Sequence, residues 1–202
     1  MNSLLNQFTI KNLDKNFIEW HQNIPYYGFW AFKINDKSWL NKTLEYQKIL
    51  SPYLIENYQR QIHITLFTCG LTQFSKDDQL KLDEQLSHIK SLNLEAFSLS
   101  IKEFSSYAGS PILLPNIQTE VINQLRQTLT TFHHEDRTQE FQAHITLGLY
   151  NQTVSFHQIF QLVKGISLKK INPIVVDEVH YCLYDTRSIK GPIQFKASVK
   201  LR

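Results

Sequence analysis

His63-Ile64-Thr65-Leu66 and His144-Ile145-Thr146-Leu147 are one four-residue phrase written twice, 81 residues apart. A glutamine stands two positions before each copy (Gln61, Gln142), and both copies lie in short apolar runs. Polar and apolar residues alternate through the phrase, the period of a half-buried strand. On such a strand Gln, His and Thr share one face. Ile62, Ile64 and Leu66 in the first copy, and Ala143, Ile145 and Leu147 in the second, share the other. Two like strands can present two imidazoles and two hydroxyls to one space.

The repetition extends beyond the phrase. Pro111-Ile112 and Pro192-Ile193 are also 81 residues apart. Each half reads helix, strand with the motif, helix, strand, loop, strand, and the strand phases between fit an offset of 82 better, as one inserted or bulged residue would produce. Asp36 and Ser75 are placed to cap helices, and Asn116 to cap the helix carrying Val121, Ile122, Leu125 and Leu129. Trp39, Leu40, Leu44, Ile49, Leu50 and Leu54 form a rough helical stripe. Gly70 is read as the end of the first motif strand. No low-complexity linker separates the halves. The expected class is α+β: a bilobal pseudo-twofold repeat, with two antiparallel sheets facing a central cleft and helices outside. Residues 1–25 read as an N-terminal extension with short helices. Residues 26–202 read as one bilobal domain whose lobes share strands across the cleft.

The composition is that of an ordinary globule: 202 residues, 42% hydrophobic, 19% charged, with 12% aromatics to line a cleft as well as fill a core. A net charge of +3 suits an anionic substrate but is too small to argue for nucleic acid by itself. Cys69 and Cys182 give no disulfide framework and read as buried thiols. The start lacks the basic and apolar stretches of a signal peptide, and no apolar run approaches a membrane span. The expectation is a reduced, cytoplasmic, monomeric protein without a membrane partner.

A lone His-x-Thr carries little information, and duplicated core strands with hydrogen-bonded histidines are the competing reading. Gln-x-His-x-Thr on one face is too polar for a core without many partners, so a wet cleft accounts for it more simply. There, a neutral imidazole takes a proton from an attacking hydroxyl or water, and a protonated one gives a proton to the leaving oxygen. Threonines one strand repeat away, roughly 6.6 Å, donate to non-bridging phosphate oxygens. The scheme needs neither metal nor cofactor. His133-His134-Glu135 invites a metal reading, but no further ligand at suitable spacing completes a set.

The paired motifs, about eighty residues apart in a chain of about two hundred, resemble the 2H phosphoesterase superfamily. That superfamily includes bacterial 2′-5′ RNA ligases and 2′,3′-cyclic nucleotide phosphodiesterases. Gly70 and the Phe104-Ser105-Ser106-Tyr107 stretch fit the same pattern. The resemblance covers about residues 26–202. It implies metal-independent cleavage of a nucleotide or oligonucleotide phosphodiester, 2′,3′-cyclic or 2′-5′ linked. It makes His63 and His144 the acid–base pair and Thr65 and Thr146 the phosphate ligands. If one ring must be chosen as general acid, the choice is His63. The sequence departs from the family where an arginine often follows a motif: Phe67 follows Leu66, and Gly148, Leu149 and Tyr150 follow Leu147. Arg187, before Gly191, is the substitute named from sequence.

By alternation Phe67 should face the cleft opposite Gly148, leaving a slot for one base; the other reading has it capping the sheet end. Tyr107, Tyr150 and Tyr184 are weaker stacking candidates. Two other functions fit the same motifs: degradation of a cyclic or 2′-5′ oligonucleotide defence signal, and nucleotide or RNA binding without turnover.

Overall fold

The computed structural model describes residues 7–12, 16–135, 141–168 and 171–202. Its strands are β1 (Tyr26–Lys33), β2 (His63–Thr72), β3 (Phe97–Ser106), β4 (Pro111–Ile117), β5 (Ile145–Thr146), β6 (Ile174–Val176), β7 (Glu178–Asp185) and β8 (Ile193–Lys200). The helices are α1 (Phe17–Trp20), α2 (Lys37–Leu50), α3 (Lys76–Ser91), α4 (Thr119–Thr130) and α5 (Phe156–Val163).

The eight strands make one antiparallel sheet in the order β6-β3-β4-β5-β2-β1-β7-β8. The two expected sheets are the two halves of this order, joined at the β5–β2 seam. The fold is therefore α+β, with the motif strands side by side in the middle. After each motif the chain crosses over. β3 follows the first motif but joins the half that holds β5, while β7 and β8 follow the second motif but join the half that holds β2. Each half of the sheet thus draws strands from both repeats.

Alternation decides the faces. Ile64, Leu66, Ile145 and Leu147 are at most 1% exposed and lie in the main core with Trp30, Phe32, Leu125 and Ile159. Their neighbours His63, Thr65, His144 and Thr146 lie on the opposite face. β1 is apolar on both sides. Trp30 and Phe32 enter the main core, while Phe29 and Ala31 join a small second cluster with Cys182 and Ile193 on the cleft side.

Local chemistry explains most helix boundaries. The Asp36 carboxylate accepts from the amides of Ser38 and Trp39 and caps α2. Ser75 and Asp78 form a capping box on α3. Asn116, expected as a cap, lies instead within β4, and α4 begins after Gln118. The first motif strand does not stop at Gly70. It continues to Thr72, with Gly70 at φ +95°, a conformation glycine tolerates.

Candidate active site

β2 and β5 pair antiparallel, with Ile64 opposite Ile145. That register sets His63 across from Thr146 and Thr65 across from His144. The four residues form a square on the cleft face, each imidazole diagonal to the other. Diagonal positions on an antiparallel pair are about 7–8 Å apart. This leaves room for a tetrahedral phosphorus between two rings reaching from opposite corners.

Both imidazoles are held in the same way. His63 Nδ1–H donates to the Gln61 carbonyl (2.7 Å), and His144 Nδ1–H donates to the Gln142 carbonyl (2.8 Å). A carbonyl only accepts, so each Nδ1 carries a proton and Nε2 is the ring nitrogen able to exchange one with a reactant. Their surroundings differ. Protein crowds His63, and desolvation of the charged ring pulls its pKa down to about 4. The nearby Arg60 and His144 act in the same direction, while the Gln61 carbonyl acts against them. His63 is therefore a neutral ring at pH 7, suited to accept a proton.

A cavity of about 420 Å³ opens beside His63 and Thr65. Phe29 and Tyr27 from β1, Tyr184 from β7, Thr68 and Arg60 line it, and Trp20 and His21 close one side. The Arg60 guanidinium lies 4.3 Å over the Tyr184 ring, and Tyr184 stacks on Tyr27 at 5.2 Å. Phe29 meets the His63 ring at 5.7 Å. On the other side of the square, Tyr107 meets His144 edge to face at 5.0 Å, and its hydroxyl donates to Gln142 Oε1 (2.9 Å).

The structure brings His63, Thr65, His144, Thr146 and Tyr107 together, places Tyr184 in the cavity beside His63, and disperses Phe67, Tyr150 and Arg187. Phe67 does not face the cleft. It is 0% exposed in the main core, beneath Arg126. The cause is a bulge: β1 residues Trp30 and Ala31 pair with Phe67 and Thr65, so Leu66 is an extra residue and the alternation slips by one. The slot opposite it is also absent, since a Cβ on Gly148 would meet Leu54 Cδ1 at 3.0 Å. Tyr150 is likewise 0% exposed, and its hydroxyl bonds with that of Ser106 (2.8 Å). Arg187 is spent in a two-pronged pair with Asp185 on an exposed turn, and it does not line the cavity. The Gln61 side chain brackets the Ile193 backbone, pinning the start of β8. His133 Nε2 lies 2.9 Å from Gln85 Nε2, and Gln85 Oε1 accepts from Trp30 Nε1 (2.8 Å). Glu135 accepts from Arg126 and from Thr68. The His133–Glu135 run is thus committed to packing. Sequence reading missed Arg60, Trp20, Tyr27 and Phe29. Arg60 stands three residues before the first motif, on the same strand-like approach, and that spacing was the available signal.

An α+β fold with two His-x-Thr strands meeting at a central seam defines a two-histidine phosphoesterase architecture. The family model of the 2′-5′ RNA ligase superfamily matches residues 42–186, well over half of the chain, and the chain belongs to that superfamily. Solved structures agree on the fold. One described as a phosphoesterase has a TM-score of 0.58 at 16% identity, over 88% of this chain and 99% of its own. LigT of E. coli in apo form has a TM-score of 0.55 at 16% identity, over 88% and 98%. The same protein has been crystallised with 3′-AMP. Usb1 of Kluyveromyces marxianus has a TM-score of 0.52 at 11% identity, over 84% and 96%. No curated protein matches the sequence significantly.

Proposed function

We propose that the chain is a metal-independent phosphodiesterase that opens a 2′,3′-cyclic phosphate, or cleaves a 2′-5′ linkage, on a nucleotide or oligonucleotide end. The observation that supports this reading is the Ile64–Ile145 register, by which the two His-x-Thr phrases lie side by side with each histidine diagonal to the other. Membership of the 2′-5′ RNA ligase superfamily supports the substrate class, as does the 3′-AMP complex of the LigT relative.

For a cyclic phosphate, water enters between the rings. His63 Nε2 takes its proton as the oxygen attacks phosphorus. The bond from phosphorus to one ribose oxygen breaks, and His144 delivers a proton to that oxygen. Thr65 and Thr146 donate to the non-bridging oxygens. Arg60 supplies the positive charge beside the cavity that the family often draws from an arginine after the motif. For a 2′-5′ linkage the neighbouring 3′-hydroxyl replaces water, and the 5′-oxygen leaves.

The test is turnover of 2′,3′-cyclic mononucleotides, 2′-5′ and 3′-5′ dinucleotides and cyclic oligonucleotides, with excess EDTA present and products identified by mass. Cleavage of a cyclic phosphate or a 2′-5′ bond is expected. Activity abolished by EDTA, or confined to 3′-5′ linkages, would overturn the reading. Binding without turnover would leave a nucleotide-binding module instead.

A further inference from the structure

The segment ahead of β1 lies outside the matched stretch 42–186, yet it braces both sides of the site. On the His144 side, Ile10 N donates to Ala108 O (2.7 Å), and Asn12 Nδ2 donates to Gly109 O (2.9 Å) and Tyr150 O (3.0 Å). These bonds fix the turn that carries Tyr107 against His144. On the His63 side, His21 is 5% exposed, and its Nδ1–H donates to Phe17 O (2.6 Å). Its Nε2 is then an acceptor, taken by the Tyr184 hydroxyl (3.2 Å). Trp20 meets His21 at 4.6 Å.

Arg60, Tyr184, His21 and Trp20 thus form one run of contacts along the cavity that begins at His63 and Thr65. Two features of this run point outward. Trp20 is 65% exposed, while Trp30 and Trp39 are 0% and 1% exposed, so one face of a large ring reaches solvent where Trp20 lines the cavity. Among the described residues, Arg60 Nε is buried and has no hydrogen-bond partner. The Arg60 guanidinium lies over Tyr184 and lines the cavity, where its charge suits an electron-rich ring or a phosphate.

We infer that the N-terminal segment completes a nucleobase subsite on the His63 side, with Trp20 as the stacking face and the Arg60 guanidinium as the cation beside the nucleotide. This rests on the phosphodiesterase reading above and adds where the base sits. It also restricts substrates to diesters with a base on that side. A ring in this cavity shields Trp20 from water, and stacking of this kind changes affinity by about fivefold or more.

The experiment uses the full chain and four probes in turn, 3′-AMP, 3′-GMP, 3′-CMP and 3′-UMP, with inorganic phosphate as the base-free control. Intrinsic fluorescence reports Trp20 against two buried tryptophans, and calorimetry reports affinity. At least one nucleotide should quench the wild type, phosphate should not, and Trp20→Ala should weaken that nucleotide about fivefold or more. Trp20→Phe should abolish the quench while keeping most of the affinity. Because Trp20 is exposed, neither variant is expected to unfold the chain, and circular dichroism checks this. Nucleotide binding with equal affinity in wild type and Trp20→Ala, and without quenching, would overturn the subsite and leave the phosphodiesterase reading standing. No nucleotide binding, together with no turnover of any diester, would overturn both.

Discussion

The two sides of the seam carry the same phrase on different supports. His63 and Thr65 stand on β2, ten residues long and paired with β1 along its length. His144 and Thr146 stand at β5, two residues long, which pairs with β2 at Ile64 and with β4 at Ile112 and Leu113. Bonds from outside the ladder hold the second strand: Leu147 N to Pro111 O (3.0 Å) and Gln47 Nε2 to Leu147 O (2.8 Å). The surroundings differ as well. His63 faces an aromatic cavity with Arg60 beside it, while His144 faces Tyr107. The two copies therefore keep the same His and Thr pair and differ in everything around it. Catalysis reads as the symmetric part of the molecule and substrate choice as the asymmetric part.

Substitutions can break that comparison at several depths. The largest effect should come from the square. His63→Ala and His144→Ala should each lose about 10²- to 10⁴-fold in kcat, measured in single turnover. Either variant keeping half its activity would remove that histidine from the chemistry. Thr65→Ala and Thr146→Ala each delete one donor to a charged oxygen, for about 10- to 100-fold, and the two losses should be similar if the phosphate is held symmetrically. Arg60→Ala and Arg187→Ala separate the two candidate cations. The first should raise KM about tenfold, as loss of one charged hydrogen bond does, and the second should change it by less than about twofold, because Arg187 is already paired with Asp185.

A stability change probes the join between the halves. Arg126 on α4 donates to Leu66 O (2.6 Å) on β2 and pairs with Glu135 (2.7 Å), which also accepts from Thr68 (3.1 Å). Desolvation pushes the Glu135 carboxyl upward, but its bonds from Arg126 and Thr68 outweigh that and hold it below the usual carboxylate value. A lowered carboxylate pKa contributes stability above the unfolded pKa, and that contribution is lost as pH falls through the folded one. Glu135→Ala leaves Arg126 with its partner removed and should cost about 3 kcal/mol, or about 6 °C or more in Tm. A Tm within about 1 °C of wild type would show that the clamp is not structural.

The fold and the candidate site were legible because duplication doubles a weak signal. One His-x-Thr means little, whereas two copies in matched strands fix both a seam and a site. The misreadings have local causes. Phe67 was placed by strict alternation, and a bulge at Leu66 moved it to the other face. On α2 the expected stripe included Leu44 and Ile49, which are 60% and 36% exposed, because Tyr46 and Thr43 occupy the buried face instead. Arg60 was passed over as part of a polar connection, and Trp20 as part of an extension. The cavity that Trp20 and Arg60 share is lined by β1 and β7 lying side by side, a pairing between residues 149 to 159 positions apart. Arg187 was named for its charge, without sight of the carboxylate two residues earlier.

The most direct test of the paired-histidine scheme is the pH dependence of kcat/KM on the substrate found active. One ring must be neutral and the other charged, so the profile should be bell-shaped. With His63 as the base, its acid limb should fall near pH 4 rather than at the ordinary imidazole value of 6.5, because burial and Arg60 disfavour the charged ring. Arg60→Ala should move that limb upward. A profile that rises once to a plateau, or an acid limb at 6.5 that Arg60→Ala does not move, would contradict the division of roles between the two histidines.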